Sequence, residues 1–396
     1  MNDRVCVRSH YELDQQLGLD YFTTISTGIG GKLRERIEDF IVDEIPKHTY
    51  LAENGEYTHF SLEKENWETI SAVRAIARSL GVSYKRFGYA GNKDRRAVTT
   101  QRIAAWHIEQ EQLMKVELDG IRLYDFTKSN SRISLGDSKG NSFRITIRNP
   151  ELRGQELEDS LKTTTEQIEL GGVPNYFGYQ RFGTVRPNTH LVGRELVKGN
   201  LEAAVMHYLC YPYATERPEC QKARRYLEET HDFAGALRIY PHRLTFERMM
   251  LDSLRRNPRN FVGALRRLPK NVRKLLVHAY QAHLFNRTLS AMIEREMISS
   301  TRQVPLFGFD TCFSEGAQGE LEKKILDDEN IVTKDFFIRP VPELSCKGYS
   351  RASILNVKPV LKMVSDEIVV VEFALPKGSY ATTALREFMK ANPLSY

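Results

Sequence analysis

Hydrophobic and polar residues alternate in several stretches near both ends of this 396-residue chain, which is the pattern of half-buried β-strands. In the clearest case Phe143, Ile145 and Ile147 point to one face, and the side chains between them are polar or charged. Similar short runs predict further strands at Phe40–Val42, Arg86–Tyr89, Thr99–Ile108, Arg132–Leu135 and Asp366–Pro376. We expect Arg132–Leu135 and the strand that holds Phe143 to form a hairpin around Gly136–Asn141.

Helical periodicity is strongest over Asn66–Leu80, where Asn66 is a candidate N-cap and Gly81 a candidate left-handed stop. Residues 187–274 also read as mainly helical and basic. Further helices are predicted at Glu156–Leu170, Leu275–Met297 and Thr382–Lys390.

The last strand and helix together span only about 30 residues, which is too few to form a separate core. They must therefore pack on an earlier part of the chain. The sequence predicts an α+β protein with a discontinuous domain, formed by residues 1–174 and 350–396, and a mainly helical domain inserted at 175–349.

The formal net charge is +6, and the composition is that of a globular protein, with 41% hydrophobic residues. No window approaches 18 consecutive apolar residues, and the charged N-terminal segment lacks the apolar core of a signal peptide. Five scattered cysteines show neither disulfide nor zinc spacing. We therefore expect a cytoplasmic protein with reduced thiols, no metal and no membrane association.

Two short stretches resemble nucleotide-binding motifs but lack essential residues. The glycine-rich segment Gly28–Leu33 has neither the first glycine nor the Ser/Thr of a phosphate-binding loop. Asn92–Asp94 resembles a guanine-specificity motif, but Asp94 stands one position too early. No nucleotide cofactor is therefore expected.

The segment Lys85–Arg102 holds six Lys or Arg residues and a single carboxylate, Asp94, in a predicted turn between strands. Nearby positive charge favours the ionised form of a carboxylate. An ionised carboxylate among cations suits a nucleophile or electrostatic partner that acts on an anionic substrate. The alternative is a surface turn in which Asp94 pairs with Arg95 or Arg96.

Four aromatic residues surround Arg181 in the segment Val173–Gly183, and aromatic faces next to cations suit stacking on unpaired bases. The alternative is a packed core in which Arg181 forms a structural ion pair. Phe143 shares its strand face with two isoleucines, so from the pattern alone it is a core residue.

Between Arg238 and Lys274 the chain has eleven Lys or Arg residues and two acidic residues, a local excess larger than the net charge of the whole chain. Clustered positive charge of this kind is typical of a surface that binds a phosphate backbone. Solvated helix faces with salt bridges to other regions are the alternative.

Five stretches spread over the chain resemble the TruD-type tRNA pseudouridine synthases. They read EDFIVDE from Glu38, YAGNKDRRAVTTQ from Tyr89, GNSFRITI from Gly140, PNYFGYQRFG from Pro174 and KGSYATTALREF from Lys377. The resemblance implies a catalytic domain with a mixed, largely antiparallel sheet and an inserted family-specific domain. It is thinner between residues 187 and 350.

The resemblance implies isomerisation of uridine to pseudouridine in tRNA, at uridine 13 of the D-arm, without a cofactor. We expect a monomer, because nothing in the sequence suggests otherwise. It implies that Asp94 is the nucleophile, that Phe143 stacks on the target uracil, and that Arg34 is a cation near Asp94. Further expected substrate-binding residues are Asn141, Lys93, Gln101 and Arg181, and the expected RNA-backbone patch is Arg255, Arg256, Arg266 and Arg267. A non-catalytic RNA-binding protein with the same fold is the alternative.

Overall fold

The computed structural model describes residues 6–47, 52 and 54–395. Its strands are β1 Val7–Arg8, β2 Tyr21–Phe22, β3 Phe40–Pro46, β4 Tyr57–Glu65, β5 Phe87–Tyr89, β6 Val98–Trp106, β7 Ile121–Ser129, β8 Ser138–Arg148, β9 Val173–Pro174, β10 Gln303–Leu306, β11 Tyr349–Ala352, β12 Ile354–Leu355, β13 Val360–Ser365 and β14 Ile368–Pro376.

The helices are α1 Glu12–Leu17, α2 Thr69–Ser79, α3 Gln110–Leu113, α4 Gly154–Gly171, α5 Thr189–Val197, α6 Leu201–Leu209, α7 Pro218–Thr230, α8 Phe233–Ile239, α9 Thr245–Arg256, α10 Phe261–Leu265, α11 Lys270–Glu294, α12 Gly316–Asp328 and α13 Ala381–Met389. Within the described ranges, none of these helices is both long enough and apolar enough to cross a membrane.

The chain divides into two compact units. The sheet unit comprises residues 23–173 and 355–396, and the helical unit comprises residues 1–22 and 174–354. Both units are discontinuous, and residues 1–22 cluster with the helical unit, whereas the predicted first domain included them. The reason is local packing, because Asn286 on α11 donates to the Leu17 carbonyl and Ser290 donates to the Gly18 carbonyl.

The sheet unit is built on a mixed sheet that has eight strands in the described residues. Its strand order is β13-β14-β8-β3-β6-β4-β7, with β5 paired to β6 beside β3. The β3–β6 pair is parallel and all the other pairs are antiparallel. The expected α+β class and the largely antiparallel sheet are therefore confirmed.

Helices cover this sheet because the alternating residues of its strands leave an apolar face. Phe143, Ile145 and Ile147 on β8 are all buried, as their spacing predicts, and they join a core with residues from α4 and α13. A second cluster joins α2 to β4 and β6. The whole of the terminal strand β14 pairs with residues 140–148 of β8, which explains how the last 30 or so residues are stabilised.

Two local predictions were wrong. Residues 132–135 form no strand, and β8 pairs with β3 and β14 instead of forming a hairpin with that segment. Asn66 is not the N-cap of α2, because it lies two residues before that position in a left-handed conformation with φ of 58°. The N-cap is Glu68. The predicted stop is correct, since Gly81 has φ of 67°.

The core of the helical unit contains buried side chains from α5, α6, α9 and α11. Helix α11 starts at Lys270, five residues before the predicted start, and most of its residues are buried. An amphipathic pattern is weak in such a helix, because nearly all of its faces pack against protein.

Candidate functional site

Asp94 lies in the connection between β5 and β6. The first residues of β6, Val98–Thr100, pair with β3, and the later residues Ile103–Ala105 pair with β5. The connection 90–97 therefore leaves the sheet where two strands share one edge of β6. A loop placed by three strands is a rigid support for a reactive side chain.

The side chain of Gln101 fixes the start of this connection, and it is only 1% exposed. Its amide donates to the Gly91 carbonyl over 3.0 Å and accepts the hydroxyl of Thr69 over 2.8 Å. The Thr69 hydroxyl in turn accepts the N–H of Lys93 over 2.9 Å. Because these bonds use both ends of the Gln101 amide, its geometry suits positioning of the turn.

Lys93 forms an ion pair with Glu44 on β3, with 2.8 Å between Nζ and Oε2. The side chains are 8% and 2% exposed, so both charges are removed from solvent. The other oxygen of Glu44 accepts the N–H of Arg102. This arrangement holds the backbone next to Asp94 and leaves Lys93 poorly placed to contact a substrate directly.

Lys64 on β4 supports the other side of the turn, a role that no sequence pattern indicated. Its Nζ donates to the backbone carbonyls of Trp67 and Asp94, over 2.5 and 2.8 Å. Burial lowers the pKa of Lys64 to about 8, although the nearby Asp94 carboxylate favours the charged form. Lysines on strands are common, so only the tertiary structure identifies this one.

The Asp94 carboxylate accepts a hydrogen bond from Arg34, with 2.8 Å between Nη2 and Oδ2. The guanidinium also lies 4.0 Å from the centre of the Phe40 ring. The Asp94 side chain remains 36% exposed, whereas that of Arg34 is 16% exposed. Arg34 has φ of 58°, which is rare for a residue other than glycine. The alternative partners Arg95 and Arg96 are exposed.

Phe143 lies on β8, opposite Val42 of β3 and Phe373 of β14. Its ring stacks against Phe373 with centroids 5.5 Å apart and meets Phe40 edge-on at 6.3 Å. Phe40 therefore links the ring of Phe143 to the guanidinium that binds Asp94. The residue is 7% exposed, so its ring has only a narrow accessible edge in this conformation.

Asn141 lies two residues before Phe143 on β8, where it pairs with Glu44 and Leu375. Its side-chain oxygen is buried and has no hydrogen-bond partner among the described residues. An unsatisfied buried acceptor is costly, and such groups are often completed by a ligand. Strand alternation places Asn141 on the same face as Phe143, apart from the polar residues of the other face, but it does not show that its oxygen lacks a partner.

Arg181 belongs to the helical unit, and its guanidinium lies 5.3 Å from the centre of the Phe177 ring. The aromatic residues around it, Tyr176, Phe177 and Phe182, are buried. The segment is therefore a packed core region, which is the alternative that the sequence left open, although no ion pair of Arg181 is found in the described residues.

The predicted basic patch is also in the helical unit. Arg255 and Arg256, at the end of α9, bind Asp252 over 2.9 and 2.6 Å, and Arg266 lies 3.3 Å from Glu343. The pKa of Asp252 is lowered by these neighbours, first by the hydrogen bond from Arg255 and also by the charges of Arg256 and Arg267. All four arginines of the patch are exposed. Three of them, Arg255, Arg256 and Arg267, lie near the single carboxylate of Asp252, so the surface keeps an excess of positive charge.

The sheet unit thus places one accessible carboxylate, one partly buried cation, an aromatic cluster and an unsatisfied amide oxygen at one end of a sheet. A carboxylate held by a guanidinium can attack an electrophilic carbon or stabilise developing positive charge. The aromatic edge and the amide could hold a planar, polar ring.

A family model described as tRNA pseudouridine synthase D (TruD) matches residues 16–303 and 298–388. The chain therefore belongs to this family of RNA-modifying proteins. Within it, the chain is 39% identical to a protein of Methanosarcina mazei that is named "Probable tRNA pseudouridine synthase D", over 97% of this chain and 98% of that one.

Two further comparisons cover most of the chain. A protein of Methanocaldococcus jannaschii, named "Probable tRNA pseudouridine synthase D 1", is 37% identical over 93% of this chain and 97% of its own length. A crystal structure from Methanosarcina mazei that carries the name tRNA pseudouridine synthase D (TruD) has 38% identity and a TM-score of 0.85, covering 96% of this chain and 98% of that chain. The similarity thus covers both units.

Proposed function

We propose that the protein converts a specific uridine of tRNA to pseudouridine, with uridine 13 of the D-arm as the expected target and Asp94 as the nucleophile. The observation that supports this most strongly is the bond between Arg34 and the accessible carboxylate of Asp94, in a chain that belongs to the TruD family. We expect the protein to act in the cytoplasm as a monomer, without a metal or nucleotide cofactor.

The proposed reaction breaks the bond between N1 of uracil and C1′ of the ribose, turns the base, and forms a bond between C5 and C1′. The proton on C5 is lost and N1 gains a proton, so the product is an isomer of the substrate. The carboxylate of Asp94 attacks either C1′ or C6, and both routes need it to be ionised. Arg34 would orient it for the attack through the hydrogen bond from its guanidinium.

The target base must leave its stack to reach Asp94. We propose that the edge of Phe143 and the side-chain oxygen of Asn141 receive it, because that oxygen is buried without a partner. Lys93 and Gln101 hold the Asp94 turn through their bonds to Glu44 and Gly91, and thus contribute by positioning. We propose that Arg181 and the basic patch of the helical unit contact RNA.

The test is the replacement Asp94→Asn, which keeps the size of the side chain and removes its charge. We expect tRNA affinity to stay within a few-fold and pseudouridine formation to be abolished, as measured by tritium release from C5-labelled tRNA. Turnover of the variant near the wild-type rate would contradict the assignment of Asp94.

The alternative, a non-catalytic RNA-binding protein, predicts tRNA binding without tritium release even for the wild type. Mapping of pseudouridine in RNA from cells with and without the protein then identifies the target uridines. If cells without the protein lack pseudouridine at a uridine other than uridine 13, the proposed activity stands and the target uridine is corrected.

A further inference from the structure

A groove with a volume of about 680 Å³ opens in the sheet unit beside the connection that carries Asp94. Residues 84–89 form one wall, residues 132–135 form the other, and Ile70 of α2 closes one end. A volume of this size is sufficient for a nucleotide-sized ligand. None of its lining residues belongs to the site described above.

The two walls are held together by close backbone packing at Gly88. A Cβ atom at this position would lie 2.3 Å from the carbonyl oxygen of Ile133, so only glycine permits the contact. The N–H of Gly136 donates to the Ala90 carbonyl over 2.8 Å, and Lys377 donates to the Gly136 carbonyl over 2.8 Å. These contacts hold the two walls of the groove in place next to the connection that carries Asp94.

Its lining combines exposed apolar groups with cations. Tyr84 is 40% exposed and Leu135 is 78% exposed, so both apolar side chains are open to a ligand in the groove. The guanidinium of Arg74 lies over the Tyr84 ring at 5.1 Å and restrains its position. Lys85 and Arg132 are exposed, and neither forms an ion pair within the part of the chain that the structure describes.

This combination selects among possible occupants. An apolar peptide would leave two cations without a partner, and a small anion alone would not use the tyrosine and the leucine. The lining contains no acidic residue, and the nearby Asp137 accepts the N–H of Ser134 over 2.8 Å. A planar base with an attached phosphate uses both kinds of group, because stacking and phosphate contacts together hold unpaired nucleotides.

We propose that this groove is a second nucleotide subsite, which binds an unpaired nucleotide of the RNA close to the target uridine. Its base packs against Tyr84 and Leu135, and its phosphate lies between Lys85 and Arg132. Tyr89 in the groove precedes Asp94 by five residues, so at most about 18 Å of chain separates them. The inference rests on the proposed function, since it assumes that RNA is the substrate.

The subsite would help to keep the target uridine out of its stack. A neighbouring nucleotide that is held in the groove cannot stack under the target base, so the cost of extruding the target is partly met by binding elsewhere on the same strand. The groove thus connects RNA affinity with access to Asp94.

The test is a binding cycle in the Asp94→Asn background, in which the RNA stays unmodified. The probes are an intact tRNA transcript and transcripts with a single abasic residue at each of five positions on either side of the uridine that the wild type converts. Dissociation constants are measured for Asp94→Asn alone and in combination with Tyr84→Ala.

We expect Tyr84→Ala to weaken binding of intact tRNA about tenfold, and one abasic position to do the same. The two changes together should give no further loss, because both remove one contact. Tyr84→Phe should bind within about twofold of the parent. Arg132→Ala should also weaken binding of intact tRNA, and Arg78→Ala, which removes an exposed cation of α2 outside the groove, is its matched control.

If Tyr84→Ala and the abasic residue weaken binding by factors that multiply at every abasic position, the subsite is ruled out. An unchanged dissociation constant for Tyr84→Ala would also rule it out. Tritium release by the wild-type protein tests the proposed function separately. If the wild type releases no tritium, the abasic positions are centred on uridine 13, and a coupled position would still establish a base-binding groove.

Discussion

At the scale of single residues, the site depends on how Asp94 is oriented. Arg34 is the only described residue whose side chain forms an ion pair with it, and the same guanidinium packs on Phe40. A carboxylate that loses such a partner can rotate away from the position needed for attack, and small misplacements of reacting groups cost about 100-fold in rate.

We therefore predict that Arg34→Met lowers the single-turnover rate of tritium release about 100-fold, because it keeps an unbranched side chain but removes the charge. Arg34→Lys should retain part of the rate, since a point charge replaces the planar group. A rate within twofold of the wild type for Arg34→Met would show that Asp94 does not need this cation.

At the scale of elements, strand periodicity predicted β8 well because one face is buried against helices and the other is not. The register of Phe143, Ile145 and Ile147 needs no knowledge of the partner strands. The hairpin was wrong because pairing is decided by tertiary packing, and β14, more than 200 residues away, is the partner of β8.

The site residues also divide into those that the sequence could suggest and those that only the structure shows. Asp94 could be proposed from charge context and family resemblance, and Arg34 from resemblance. Lys64, Thr69 and Glu44 could not be proposed, because their roles consist of bonds to the backbone or to a partner on another strand. Such contacts leave no periodic signal in the sequence.

The ends of α9 and α10 carry the basic patch, and its ion pairs do not remove its charge. Exposed ion pairs are weak, so phosphates can replace Asp252 and Glu343 as partners. We predict that Arg255→Glu with Arg266→Glu weakens tRNA affinity and reduces the slope of log Kd against log salt by about 1 to 2.

The matched control is Lys323→Glu with Lys324→Glu on α12, where Lys324 already lies 3.2 Å from Asp328 in an acidic surrounding. Affinity should be measured by titration of labelled tRNA at several salt concentrations. An equal change of slope for both pairs would mean that only the net charge of the protein matters.

At the scale of the whole molecule, the helical unit contains buried histidines that affect its response to acid. The rings of His190 and His283 lie 4.8 Å apart, and the Nδ1 atom of each is buried without a partner in the described structure. Burial lowers the pKa of His190 to about 3 and holds that of His283 well below its ordinary value, with Arg194 and Arg287 nearby.

Both histidines are therefore neutral in the folded protein and take up a proton in the unfolded chain near pH 6.5. Stability is lost as the pH falls through 6.5, because the unfolded state then binds more protons. We predict that each histidine lowers the free energy of unfolding by about 1–2 kcal/mol when the pH falls from 7 to 5, as measured by denaturant unfolding.

The variant His190→Gln should show a smaller loss between these two pH values than the wild type. His242→Gln, which changes an exposed histidine of the same unit, is the control and should leave the loss unchanged. An identical pH dependence for His190→Gln and the wild type would contradict this account.

The left-handed backbone at Arg34 allows the strain of the backbone to be separated from the loss of the positive charge. A residue with a Cβ atom costs about 1 kcal/mol in this conformation, whereas glycine does not. Arg34→Gly should therefore unfold at a higher temperature than Arg34→Ala, by about 1 kcal/mol in stability, while both lose the cation. Glycine would relieve the backbone at position 34, so the arginine is explained by its guanidinium, which binds the Asp94 carboxylate.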